Sequence, residues 1–309
     1  MRRRDLLKLG LAVVPAAASP AAAQPPGKGL AERLCLFTDH LDDFDYSYAE
    51  VARMLRQLKI AGPDLTVRPG GLVRPERVSV DLPKAVAAFR EEGLTVPMIS
   101  TAINSVNGSA AETLTLAGKL GIRFYKMANH GYGDETARWK ERLAAVREEL
   151  KPLVRLGQQA GIQAGLHNHS GEAVGAAMWD AAEVLEPFDP AWVGSYFDPS
   201  HAHIEGGKHG WKLGFHRLAP RLKMVALKDY VWERSGGQWN TRWVPLGEGM
   251  VRWLEFFRLL ARTPFPGPIS LHIEYDPGGT NRADRFERSF LAAERDLGFV
   301  RKQLETASR

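Results

Sequence analysis

Cysteine is nearly absent. Cys35 stands alone in 309 residues, so no intramolecular disulfide can staple this chain. It lies in an apolar, strand-like run, where a buried thiol behaves as a small hydrophobe. No Pro/Ser-rich linker interrupts residues 30 to 300, which excludes a string of tethered modules and leaves one domain. No basic run is interleaved with aromatics, and this argues against nucleic acid as a partner. The formal charge of +5 does not restore that partner, because Arg2, Arg3, Arg4 and Lys8, less Asp5, supply three of those charges. The apolar stretch at residues 9–17 is too short for a stable membrane span.

That stretch is informative for another reason. It follows Arg3-Arg4-Asp5-Leu6-Leu7-Lys8 and precedes the small residues Ala21-Ala22-Ala23. A twin-arginine pair, an apolar core and a cleavage site occur in export-signal order. Residues 1–23 are therefore expected to be a twin-arginine signal and residues 24–309 the folded domain. The expected location is periplasmic or otherwise exported, with no stable membrane anchor after cleavage. This route carries folded proteins, so a metal can be loaded beforehand.

From residue 33 onward, apolar runs alternate with helical patterns. Strands are expected near 33–37, 64–67, 95–100, 122–127, 162–168, 192–198, 222–228 and 269–275. Helices are expected near 46–60, 81–92, 109–119, 135–160, 176–186, 208–219, 250–262 and 281–298. Gly62, Gly93, Gly121 and Gly161 each fall between a helical pattern and the next strand, as a left-handed helix end requires. Asp81 and Ser109 are expected to cap helices, and Pro152 to kink or break the fourth. Eight such pairs suit a closed (β/α)8 barrel. An open doubly wound sheet would place a glycine-rich turn after its first strand, and Phe37-Thr38-Asp39-His40 is not one.

Polar clusters close four of these apolar runs: Leu166-His167-Asn168-His169, Asp198-Pro199-Ser200-His201, Leu227-Lys228-Asp229 and Ile273-Glu274-Tyr275. Groups that recur where strands end converge on one barrel rim, where such folds keep their chemistry. Strand alternation turns His167, His169, Asp198, Lys228, His272, Glu274 and Lys126 inward together. Carboxylates and imidazoles in one cup suit Mn²⁺, Mg²⁺, Fe²⁺, Co²⁺ or Zn²⁺, and nothing here selects among them. Lys228 can pair with Asp198 or Glu274, hold a substrate oxygen, or form a Schiff base, the first two being favoured. Asp229 should point outward and anchor the loop after it. That loop, residues 230–249, carries Trp232, Trp239 and Trp243, whose indoles suit a sugar ring. Arg68, Gly70, Gly71 and Arg74 form a basic lip on the same rim.

The order of these motifs, namely His167-Asn168-His169, Asp198-Pro199-Ser200-His201, Leu227-Lys228-Asp229-Tyr230, residues 245–249 (PLGEG) and His272-Ile273-Glu274, resembles the xylose-isomerase-like TIM barrels. That group includes sugar phosphate isomerases and epimerases, inosose dehydratases and endonuclease IV. The resemblance implies one divalent metal held by Glu, Asp, His and Glu from strands five to eight. Asp198 and Glu274 match two of those positions, and His201 matches a contacting or ligating histidine. His167 stands where the first Glu is expected, and Ala226 where the His is expected. His169, His201 or His203 can make good the loss. Strand alternation, loop composition and the resemblance together give the expected set: metal on Asp198, Glu274, His167 and His201; catalysis by Glu274, His167 and Lys228; and substrate contacts from His169, His201, Lys126, Arg68 and Trp232.

The expected function is an exported isomerase, epimerase or related lyase of a sugar or keto-sugar, moving a proton α to a carbonyl. The partner is a small carbohydrate, and the resemblance leaves room for a homo-oligomer. Two other functions compete. One is a non-catalytic carbohydrate-binding barrel, suggested by the two altered ligand positions. The other is an endonuclease-IV-like phosphodiesterase, disfavoured by export and weak charge.

Overall fold

The computed structural model describes residues 29–133 and 138–309. The expected export signal lies outside the described residues. Eight parallel strands close into a barrel: β1 (Leu34–Phe37), β2 (Gly62–Val67), β3 (Met98–Thr101), β4 (Phe124–Lys126), β5 (Gln163–His167), β6 (Val193–Phe197), β7 (Leu222–Leu227) and β10 (Ile269–Leu271). The order around the barrel is β1-β10-β7-β6-β5-β4-β3-β2, so the last strand seals against the first, with Leu34 paired to Ile269. The open-sheet alternative is excluded.

Eight helices cover the outside: α1 (Tyr48–Gln57), α2 (Val78–Glu91), α3 (Gly108–Lys119), α4 (Trp139–Ala160), α5 (Trp179–Leu185), α6 (Pro199–Leu218), α7 (Trp253–Ala261) and α8 (Arg282–Ala307). Their buried faces and the outward faces of the strands build the main core. The barrel interior is a separate plug of Cys35, Met98, Phe124, Tyr196, Met224 and Ala226. Those residues come from alternate strand positions, as the inward face requires. Cys35 is fully buried there, and burial raises its thiol pKa, as suits a thiol packed as a small hydrophobe.

Several local expectations change. Asn107, not Ser109, caps α3, accepting from the Ala110 N–H. α2 begins at Val78, so Asp81 lies inside it and pairs with Arg77 one turn back, 2.7 Å away. Pro152 does not break α4, which runs continuously over its 22 residues. α6 begins at Pro199 rather than near 208; its two segments meet at Gly207, whose φ is 55°. Gly161 ends α4 in the left-handed conformation as expected. Gly62 instead opens β2, where a Cβ would sit 1.9 Å from the Thr95 carbonyl oxygen. The required close approach, rather than a helix end, explains that glycine.

Lys223 on β7 gives a stability prediction. Its side chain is buried, donating to Gln163 Oε1 at 2.8 Å, and burial lowers its pKa to about 8. Between pH 8 and the ordinary lysine value, the folded state binds fewer protons than the unfolded one. Stability therefore rises with pH across that window. Lys223→Met is expected to stabilise the fold at pH 7 by about 1–2 kcal/mol, the desolvation term less a lost hydrogen bond. Urea unfolding at pH 7 and pH 10.5 checks this: the advantage should shrink at the higher pH, and a variant equally stable or weaker at pH 7 would refute it.

Candidate active site

The carboxyl ends of the barrel strands surround a cup of about 690 Å³. Lys126 and His167 are the last residues of β4 and β5. Asp198 follows β6 and Lys228 follows β7. β10 is only three residues long, but the His272 N–H donates to the Leu227 carbonyl at 2.9 Å and carries the inward alternation on to Glu274.

Asp198 is the hub. Its Oδ1 caps α6 by accepting from the Ser200 and His201 N–H groups at 2.7 and 3.1 Å. Asn168 braces its backbone from both sides, at 2.9 and 2.7 Å. With one oxygen so fixed, Oδ2 faces three groups: His167 Nε2 at 3.3 Å, Lys228 Nζ at 3.5 Å and His201 Nε2 at 3.7 Å. Lys228 continues to Glu274 Oε1 at 2.7 Å, and His272 Nδ1 reaches that same oxygen at 3.3 Å. Burial alone would raise the Glu274 carboxyl, but the Lys228 ammonium and His272 hold it well below the usual range. The ion pair expected of Lys228 is present, with both carboxylates.

Burial, reinforced by the Lys126 and Lys228 ammoniums, pushes His167 well below its ordinary pKa. Burial does the same to His201, outweighing the pull of Asp198. Both rings are therefore neutral at pH 7. Ser170 Oγ and His201 Nδ1 share a hydrogen bond of 2.7 Å, while His201 Nε2 has no hydrogen-bond partner. Ligand atoms of His167, Asp198 and His201 all lie within 4.8 Å of one another. Two neutral imidazoles, each with one ring nitrogen lacking a hydrogen-bond partner, and a carboxylate form a donor set that fits a divalent cation.

Glu274 lies outside that cluster, with its Oε1 accepting from Lys228 and meeting His272 Nδ1. That position makes Glu274 a candidate base, beside the ligand role that the motif order implies for it. Ala226 lies in the interior plug and offers no ligand atom. His203 cannot replace it: Nδ1 bonds the Pro199 carbonyl, Nε2 accepts from the Arg252 N–H, and the ring stacks on Trp211. His169 lines the cup, its ring 4.1 Å from that of His201. Lys126 also lines it, and burial lowers its pKa to about 8. Arg68 lies on the lip, paired with Asp39 and Asp42. Arg74 is not among the lining residues.

The loop after β7 is a hairpin, β8 (Asp229–Ser235) with β9 (Gln238–Val244). Asp229 anchors it as expected, accepting from the N–H groups of Tyr230, Gly247, Gly249 and Val251 and from the Trp253 indole at 2.7 Å. The register pairs Tyr230 with Trp243 and Trp232 with Thr241. Trp243 therefore lies at the barrel end of the ribbon, with Lys228 Nζ 4.5 Å from its ring centre. Trp232, expected to contact substrate, is two residues farther out on the ribbon and is not part of the cup's wall.

Asp64 escaped the sequence reading. It is fully buried under the cup, accepting from Ser100 and Ser270 at 2.8 Å each and from the Tyr196 hydroxyl at 3.3 Å. Tyr196 also meets His272 Nε2 at 2.9 Å. A polar chain thus joins Asp64 through Tyr196 and His272 to Glu274. A carboxylate in the middle of an apolar strand was its one available signal.

The closed barrel and its polar rim define a (β/α)8 protein whose chemistry sits at the strand ends. The chain belongs to the xylose isomerase-like TIM barrel family, whose family model matches residues 54–295. Over 241 residues it is 25% identical to inosose dehydratase of Bacillus velezensis, covering 74% of this chain and 72% of that protein. D-psicose 3-epimerase from Clostridium cellulolyticum superposes with a TM-score of 0.66 at 11% identity, covering 88% of this chain and 99% of the other. A Mycobacterium smegmatis protein of the same barrel type, solved with magnesium, gives 0.61 at 17% identity, covering 86% and 91%. At such identities the structural matches show the fold alone.

Proposed function

We propose that this protein is an enzyme that moves a proton on the carbon α to a carbonyl of an unphosphorylated sugar or keto-sugar, as an isomerase, epimerase or dehydratase-type lyase. The observation that carries this reading is the Asp198–Lys228–Glu274 array set among neutral imidazoles. Glu274, held ionised, accepts the α-proton. Lys228 has three donors and spends them on Glu274 and Asp198, which leaves one for the oxyanion. His167, neutral at pH 7, can take a proton from the opposite face of the substrate, while protonated Glu274 gives its own proton back. His167, Asp198 and His201 would hold a divalent ion, which would polarise the carbonyl when bound. The family's paired glutamates become Glu274 and His167 here, so the two sides of the cup differ in chemistry. Inosose dehydratase, among the matched relatives, bears a name consistent with such acid–base work.

Export by the twin-arginine route is part of the same reading. It rests on residues 3–23 and favours a substrate without phosphate. Mass spectrometry of protein recovered from the cell should find a mature N-terminus near Gln24; an intact Met1 in the exported fraction would oppose it.

The central test incubates the protein in deuterated water with inosose, D-psicose and methyl 3-oxo-glucoside, Mn²⁺, Mg²⁺ or Co²⁺ being supplied. Deuterium should enter the carbon next to the carbonyl of at least one probe. Metal analysis should find a divalent ion in wild type and none in Asp198→Asn. Exchange into no probe would sink the catalytic reading and favour a pure carbohydrate binder.

A further inference from the structure

A second cavity, of about 840 Å³, lies beside the cup between the outer ribbon and α8. The two share Glu274, Tyr275 and Asp276, so they are adjoining lobes of one cleft. Trp243 stands at the junction, walling the second lobe while its ring lies over Lys228 of the first. The remaining apolar wall comes from Pro245, Pro277, Leu291 and Ala292. Leu291 is 51% exposed although it faces this concavity. Three arginines also line the lobe, but each already faces a carboxylate: Arg242 with Glu233 at 2.6 Å, Arg288 with Asp284 at 2.8 Å, Arg295 with Asp296 at 3.1 Å. That leaves the lobe no unmatched guanidinium for a phosphate or carboxylate. Its indole, prolines and leucine suit an uncharged ring with an apolar face.

We propose that this lobe is a second-ring subsite. The cup holds the ring that reacts, the lobe holds the neutral ring joined to it, and the substrate class is a glycoside rather than a free monosaccharide. This rests on the proposed function and names its substrate. The shared wall at Glu274 places the junction of the rings beside the reacting carbon, and Trp243 supplies the stacking face.

Calorimetry on the full-length protein tests the subsite with methyl β-glucoside, phenyl β-glucoside and cellobiose. At least one two-ring ligand should bind tenfold or more tighter than the methyl glycoside. Leu291→Asp, at an exposed position, should abolish that advantage and leave the methyl glycoside within twofold. The ring that wins tells whether the lobe takes an aromatic aglycone or a second sugar. Equal affinities for all three ligands, or an advantage that survives Leu291→Asp, would overturn the proposal. Failure of the functional reading shows separately, as absent deuterium exchange with the affinity order intact.

Discussion

Glu274→Gln is expected to lower α-proton exchange by roughly 10³-fold, within the range of a lost general base. The amide keeps the shape of the carboxyl and can still accept from Lys228, but it cannot take a proton. Among the described residues, Glu274 is the strand-end carboxylate that lines the cup beside Lys228, while Asp39 and Asp42 on the lip face Arg68 and Asp276 faces Arg285. Asp198 is committed to the α6 cap and to the imidazoles, and Asp64 lies below the floor, bonded to two serines and Tyr196. The loss should fall on turnover, with affinity for the keto-sugar changed by less than tenfold, because His167, His169 and Lys126 still line the cup. His272→Asn should give a smaller loss, since that ring acts on the proton transfer through its contact with Glu274. Exchange rates and substrate affinities of the two variants check this. A Glu274→Gln protein exchanging within tenfold of wild type would transfer the base role to His167.

Much of this site was legible because of how a barrel strand is written. Buried on both faces, it reads as a continuous apolar run, and the first polar inward residue after the run marks the rim. His167, Asp198, Lys228 and Glu274 announce themselves in that way, about one β/α unit apart. Asp64 did not, because its partners Ser100 and Ser270 lie 36 and 206 residues away along the chain and only closure brings them together. The hairpin was missed for another reason. Its signal, Gly236-Gly237 with φ of 59° and 80°, is a two-residue turn of the type that joins antiparallel strands. Reading that turn would have put Trp243 opposite Tyr230, at the base of the ribbon, and Trp232 away from the cup. The placement of His201 beside Asp198 and His167 depends on α6 starting at Pro199, where the pattern put the helix near 208.

Lys228→Met is expected to cost about 4 kcal/mol of stability at pH 7, the range for breaking a buried ion pair. The side chain is 3% exposed and its ammonium faces a fully buried carboxylate, Asp198, as well as Glu274. Methionine fills similar space and leaves both anions without their cation. In the wild type the Glu274 carboxyl is held well below its ordinary value. Its stabilising contribution is therefore complete above the unfolded value, near pH 4.5, and is lost as pH falls through the depressed one. Without Lys228, burial acts on Glu274 opposed mainly by His272, so its pKa rises and that contribution disappears. The deficit of Lys228→Met should then be largest above pH 4.5 and should shrink on acidification as Glu274 protonates. The double variant Lys228→Met/Glu274→Gln should recover part of the loss at pH 7, because one stranded charge is gone. Urea unfolding of the three proteins at pH 7 and pH 4 measures this. If the double variant is no more stable than Lys228→Met, the lysine acts through packing alone, and its assignment as the countercharge to Glu274 fails.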